Sequence, residues 1–247
     1  YKNADLTLVA GDVNRVREEM PPRPMMARKS LADAESGAGF QEAPLFEYHS
    51  YHLERTTTLK DRQTKQLTLL DAKGIPVTKR FLFQPTAYPL WYRSSDHQKN
   101  KVAVMLEFSN NQKSNLGMPL PKGVMRVYQD DPLGRMQFIG EDRIDHTPKD
   151  EKVKIKLGEA FDVVGDRWQT EYRELGNNQV EASYKISLRN HKEVPVTVTA
   201  IEKAGGDWEV TKKSQDFRKT DSSTLEFDVP IPANAERTVT YPVRVKY

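Results

Sequence analysis

The chain has 247 residues, 37% of them hydrophobic and 30% charged, with a formal net charge of only +3 and no cysteine. The missing thiols exclude disulfides, thiolate catalysis and cysteine metal sites, and the interspersed charges do not make the basic face of a nucleic-acid binder. No apolar run approaches the roughly 20 residues that a membrane-spanning helix requires.

In chain order, the sequence starts at Tyr1 without Met and passes at once into a strand-like run, Asp5 to Val9. That abrupt start predicts a signal peptide or other segment upstream. Residues 14–44 change character: Glu18 to Pro24 holds three prolines, which lack the amide donor a sheet ladder needs. Met25 to Glu35 is expected as a short helix ended by Ser36 to Gly39. The whole excursion fits either a surface loop or an arm held by a neighbouring molecule.

Strands then resume. Phe46 to Leu59, Lys65 to Leu70 and Val77 to Phe83 are expected as strands, with a turn at Lys60 to Gln63. An irregular stretch from Pro85 to Asn100 carries the pair Trp91–Tyr92. Val102 to Phe108 ends at Asn110–Asn111, and Val124 to Tyr128 is separated from Met136 to Ile139 by a turn at Asp130 to Gly134. From Val153 onward the alternation is plain: Val153 to Leu157, Val180 to Leu188, Val194 to Thr199, Leu225 to Val229 and Val239 to Val245 swap apolar and polar residues at each step. Successive side chains of a strand point to opposite faces, so this pattern buries one face and wets the other. The breaks at Gly176–Asn178, Arg189–Lys192, Gly205–Asp207 and Pro232–Asn234 are turn chemistry that favours antiparallel hairpins.

The expected fold class is therefore all-β, built of antiparallel β-sandwich units. The division predicted is a β-rich domain over 1–164, carrying the excursion at 14–44, and an immunoglobulin-like sandwich over 165–247. Phe161 to Leu175 reads as a long strand that both domains could share.

Several runs resemble one bacterial family, the domain of unknown function 4139. They are Phe46 to Leu53, Thr57 to Leu67, Leu120 to Tyr128, Phe138 to Pro148 and Gly158 to Val163, with Leu8 to Asn14 near the start. The resemblance covers nearly the whole chain. It implies an exported, strand-rich protein of the periplasm, cell surface or exterior, and brings no catalytic residues with it.

Candidate chemistry is sparse. His49 and His52 lie three apart, which on a strand puts them on opposite faces. Asp142 and His146 share a face with Ile144, one carboxylate and one imidazole where zinc takes three or four ligands. Asp130–Asp131 offers hard oxygens for calcium, but the following Pro132, Leu133 and Gly134 make a turn the simpler reading. No nucleophile elbow and no phosphate-cradling glycine loop occurs. No cofactor, metal or catalytic residue is assigned, and no enzymatic activity is expected. The aromatics are the better lead. Trp168 and Trp208 suit a core, whereas Trp91 and Tyr92, adjacent in an irregular stretch, suit a binding surface. Two functions follow: a structural or interaction protein of the bacterial envelope or exterior, working through sheet edges and the 14–44 arm on a protein partner or on itself, or a soluble module that binds a glycan or other ligand through Trp91 and Tyr92.

Overall fold

The computed structural model describes residues 1–11, 32–35 (backbone only), 40–85 and 89–247. Among them the chain is strand after strand, with one 3-10 turn at Gln112–Ser114 and no helix long and apolar enough to cross a membrane. The fold is all-β. Most of the 14–44 excursion lies outside the described residues. Its described parts are strands β2 (Ala32–Glu35) and β3 (Phe40–Leu45), so residues 32–35 are extended rather than helical.

Two compact units interleave along the sequence: residues 1–76, 108–124 and 143–153 form one, and residues 77–107, 125–142 and 154–247 the other. This partition of contacts follows strand pairing, not a single cut at 164/165, because strands from residues 77–107 join the C-terminal sheet.

In the first unit, β1 (Thr7–Ala10), β4 (Tyr48–Leu53) and β3 make an antiparallel sheet in the order β1-β4-β3, and β2 pairs in parallel with β5 (Thr64–Leu67). The β3–β4 turn places Phe46 at φ +58, so the run from Phe46 to Leu59 is a hairpin turn plus one strand ending at Leu53. Phe40, Tyr51 and Leu53 form a small core. A buried amide organises the adjoining loops. The Nδ2 of Asn110 donates to the carbonyls of Met118 and Pro148, each at 2.8 Å, and its Oδ1 accepts from the Gly117 amide.

The second unit contains a nine-stranded sheet. Its members are β6 (Thr78–Phe83), β7 (His97–Ser109), β10 (Lys152–Gly176), β11 (Gln179–Asn190), β12 (Val196–Lys203), β13 (Asp207–Val210), β14 (Arg218–Asp221), β15 (Thr224–Ile231) and β16 (Ala235–Lys246). The spatial order is β13-β16-β11-β10-β7-β6-β12-β15-β14. The sheet curls back on itself like a sandwich. Phe227 of β15 lies 5.2 Å from Tyr241 of β16 although five strands lie between them in the sheet, and Tyr241 stacks on Tyr184 of β11. Between the two halves sits a core of Phe83, Val102, Ile186, Leu188, Leu225 and their neighbours.

Turn chemistry fixes the hairpins. Asn177 and Asn178 both have positive φ in the two-residue turn between β10 and β11, the geometry that matches strand twist. At the β14–β15 turn, Asp221 accepts from the Ser223 amide at 2.7 Å and the Thr224 hydroxyl at 2.8 Å. These hydrogen bonds, that of Thr224 foremost, hold the Asp221 carboxyl down at about 2. A carboxyl depressed below its unfolded value of about 3.9 adds stability above that value, and the gain is lost as pH falls through the folded one. Asp221→Asn should therefore unfold at lower urea than the parent at neutral pH, and the gap between the two midpoints should close as the pH is lowered from about 4 to about 2.

Candidate interaction surface

Strands β8 (Gly123–Asp130) and β9 (Met136–Ile144) form a hairpin that, among the described residues, pairs with no third strand. Its tip is built from Asp131. One carboxylate oxygen accepts from the amides of Leu133 and Arg135 at 2.9 and 3.0 Å, and the other accepts from the Arg135 guanidinium at 3.0 Å and the Gln137 amide at 3.3 Å. These donors, led by the Arg135 amide, hold the Asp131 carboxyl below the ordinary carboxylate range. Gly134 supplies the left-handed residue at φ +74. The aspartate that sequence offered as a calcium ligand is thus consumed in closing a turn, and no group of three His, Asp or Glu side chains that could hold a metal occurs among the described residues.

On this fixed scaffold stand large apolar side chains that are exposed among the described residues. Leu133 at the tip is 75% exposed, Met136 69%, Phe138 54% and Tyr128 49%. Tyr128 and Phe138 touch edge-to-face with centroids 5.6 Å apart, so the two strands share one aromatic surface. Single exposed apolar residues are ordinary on a protein surface; a contiguous set on one hairpin is the informative case. The arm is seated on β10 at Gly140, where the backbones close so tightly that a Cβ would sit 2.5 Å from the Leu157 carbonyl oxygen. Beside this contact the Asp142 carboxylate accepts from the Lys156 amide at 2.8 Å.

The residues singled out by sequence are dispersed. The Trp91 ring stacks on Tyr247 at 5.7 Å, lies against Gly205 and packs on the main core, while its carbonyl accepts from the Tyr172 hydroxyl. Tyr92 is 61% exposed. The pair is divided, one ring packed and one in solvent. Trp208 is in the core, with its indole N–H on the Ser222 carbonyl at 2.8 Å. Trp168, expected there too, is only half-buried, flanked by His97 and Lys185, because strand alternation turns its neighbour Arg167 to the opposite, core-facing side of β10.

His49 pairs with Glu42 at 2.7 Å and His52 with Thr7 at 3.1 Å. The Nδ1 of His146 accepts from the Lys122 amide at 3.3 Å, which leaves its Nε2 buried without a partner among the described residues. His49 and His146 both line a cavity of about 280 Å³ with Tyr48, Tyr51, Pro119 and Pro148.

The alternation of the hairpin in sequence looks like that of every other strand, so it does not single this surface out. The available sequence signal is the density of Tyr128, Leu133, Met136 and Phe138 around a turn. No family model, curated protein or solved structure matches the chain.

The seat of the hairpin is testable. Gly140→Ala should destabilise the protein by about 1–3 kcal/mol in urea unfolding, from backbone strain at φ +156 and the collision with Leu157. Gly123→Ala, which meets nothing within 4 Å, should leave the midpoint unchanged.

Proposed function

We propose that this is a non-enzymatic structural or interaction protein of the bacterial envelope or exterior, and that the β8–β9 hairpin is its contact surface. The observation that carries the reading is the exposed set Tyr128, Leu133, Met136 and Phe138 on an arm whose tip is hydrogen-bonded into one shape. A preformed apolar surface loses little conformational freedom on docking, and aromatic side chains contribute disproportionately to interface energy. The open edges of the hairpin also allow a strand to be added, with main-chain hydrogen bonds supplying affinity. Other edges are less suited to this. The outermost strands of the large sheet, β13 and β14, are four residues each, and β14 carries Arg218, Lys219 and Asp221 in solvent; edge strand β3 contains Pro44. Short, charged or proline-bearing edges resist pairing. Assignment to the envelope or exterior rests on the family resemblance. Binding of a glycan through Trp91 and Tyr92 has less support, since the Trp91 face is occupied by Tyr247 and only Tyr92 stands free to stack.

A photo-crosslinking residue placed at Phe138 in the natively expressed protein should give a discrete adduct, to a second copy or to another protein, whereas the same probe at exposed Lys212 should not. Leu133→Asp combined with Met136→Asp should abolish the adduct while changing stability by no more than about 0.5 kcal/mol per site, as expected for surface positions. No adduct from position 138, or an equal one from position 212, would overturn the reading.

A further inference from the structure

In the nine-stranded sheet β6 and β12 run parallel, and their register begins only at Phe81 opposite Val198. Upstream of that point the two strands part. Lys79 and Arg80 pair with Leu106 and Met105 of β7, while Val196 and Thr197 pair with Ile231 and Pro230 of β15. The parting leaves a groove of about 510 Å³, closed at one side by Lys192, Val194 and Pro195 from the β11–β12 connection. That volume falls within the range of small-molecule sites.

The groove is charged in one sense. Lys79, Arg80 and Lys192 line it against a single carboxylate, Asp228. Asp228 already has partners: it pairs at 2.5 Å with the Arg218 guanidinium, which also pairs with Glu226 at 3.0 Å, and it accepts from the Thr199 hydroxyl at 2.8 Å. Lys192 is shared with Asp162 at 3.6 Å, and Lys79 lies over the Phe81 ring at 5.2 Å. Arg80 is different. It is half-buried, and among the described residues its guanidinium has neither an ion pair nor a hydrogen bond. A guanidinium carries five donors in a fixed planar fork that matches the paired oxygens of a carboxylate or phosphate. Partial burial weakens the competition from water, so an oxyanion facing this fork gains a charge-assisted bidentate contact. The remaining wall, Phe81, Val194, Pro195 and Val196, is apolar and suits a compact carbon body behind the anionic head.

We infer that the groove at the parting of β6 and β12 is a binding site for a small organic oxyanion, a carboxylate or phosphate head on a compact body, with Arg80 as its principal contact and Lys79 and Lys192 as flanking cations. The site is separate from the hairpin and does not depend on it.

The test is amide chemical-shift mapping of the isotopically labelled full chain at low salt, titrated with glucuronate, with glucose 6-phosphate, and with glucose as the uncharged control. Saturable shifts confined to residues 78–81 and 192–199 are expected with at least one of the two anions and not with glucose; which anion binds tells carboxylate from phosphate recognition. Arg80→Gln should weaken the binding by about tenfold or more, the loss of one charge-assisted contact, and Lys192→Gln by less because Asp162 already shares that cation. Added salt should weaken binding to the parent, as for any partly exposed charge contact. The inference fails if neither anion gives saturable shifts in the groove up to about 10 mM. It fails equally if Arg80→Gln, folded by the same spectrum, binds as the parent does.

Discussion

Inside the curled sheet, Arg167 of β10 faces Glu202 of β12 through two hydrogen bonds of 3.2 and 3.3 Å, with both side chains almost wholly removed from solvent. The guanidinium also lies over the Tyr184 ring at 4.1 Å. Burial pushes the Glu202 carboxyl up, against the pull of Arg167. Burial acts on Arg167 in the opposite sense to the charge of Glu202, and the charge prevails, so the arginine stays protonated. Two charges taken out of water are tolerated only when each satisfies the other, which ties the position of β10 to that of β12 more strictly than apolar packing does. Those strands belong to opposite halves of the sheet, so the pair specifies how far the sheet closes.

A polar chain continues outward from this point. The Tyr184 hydroxyl donates to the Leu90 carbonyl at 3.1 Å and accepts from Gln169, whose amide group also donates to the Tyr92 carbonyl and whose oxygen accepts from the Ser94 amide. The irregular stretch around Trp91 is thereby fastened to β10 and β11. Both proposed surfaces depend on the same frame. β10 seats the hairpin at Leu157, and the alignment of β6 with β12 decides where their pairing starts and hence where the groove opens.

Alternation made most of the frame legible. Val180 to Leu188 and Val239 to Val245 show one buried face because both are half-buried antiparallel strands, and they pair with each other in the structure. The parallel β6–β12 contact left no mark, since it joins residues over a hundred positions apart through backbone groups common to every residue. β13 and β14 were missed because four residues are too few to show a period. In sequence Asn110 marks the end of a strand and Asn190 lies in a turn. In the structure they are buried amides that bridge loop carbonyls, Asn190 donating to Val194 and Pro232 at 2.9 Å. Arg167 and Glu202 broke the pattern in a way sequence could not decode: next to Trp168, the charged residue points in and the aromatic outward. Trp91 and Tyr92 were correctly placed in an irregular segment, but which of two adjacent rings packs is set by Tyr247, at the far end of the chain.

The measurement that most directly tests the role of the buried pair is a double-mutant cycle in urea with Arg167→Met, Glu202→Leu and the two combined. Each single change strands one buried charge and should cost about 3–5 kcal/mol, whereas the combined change, leaving no charge to desolvate, should cost far less than the sum of the two. Singles that cost under about 1 kcal/mol, or costs that simply add, would show that the halves of the sheet are held together without the pair and would contradict the account.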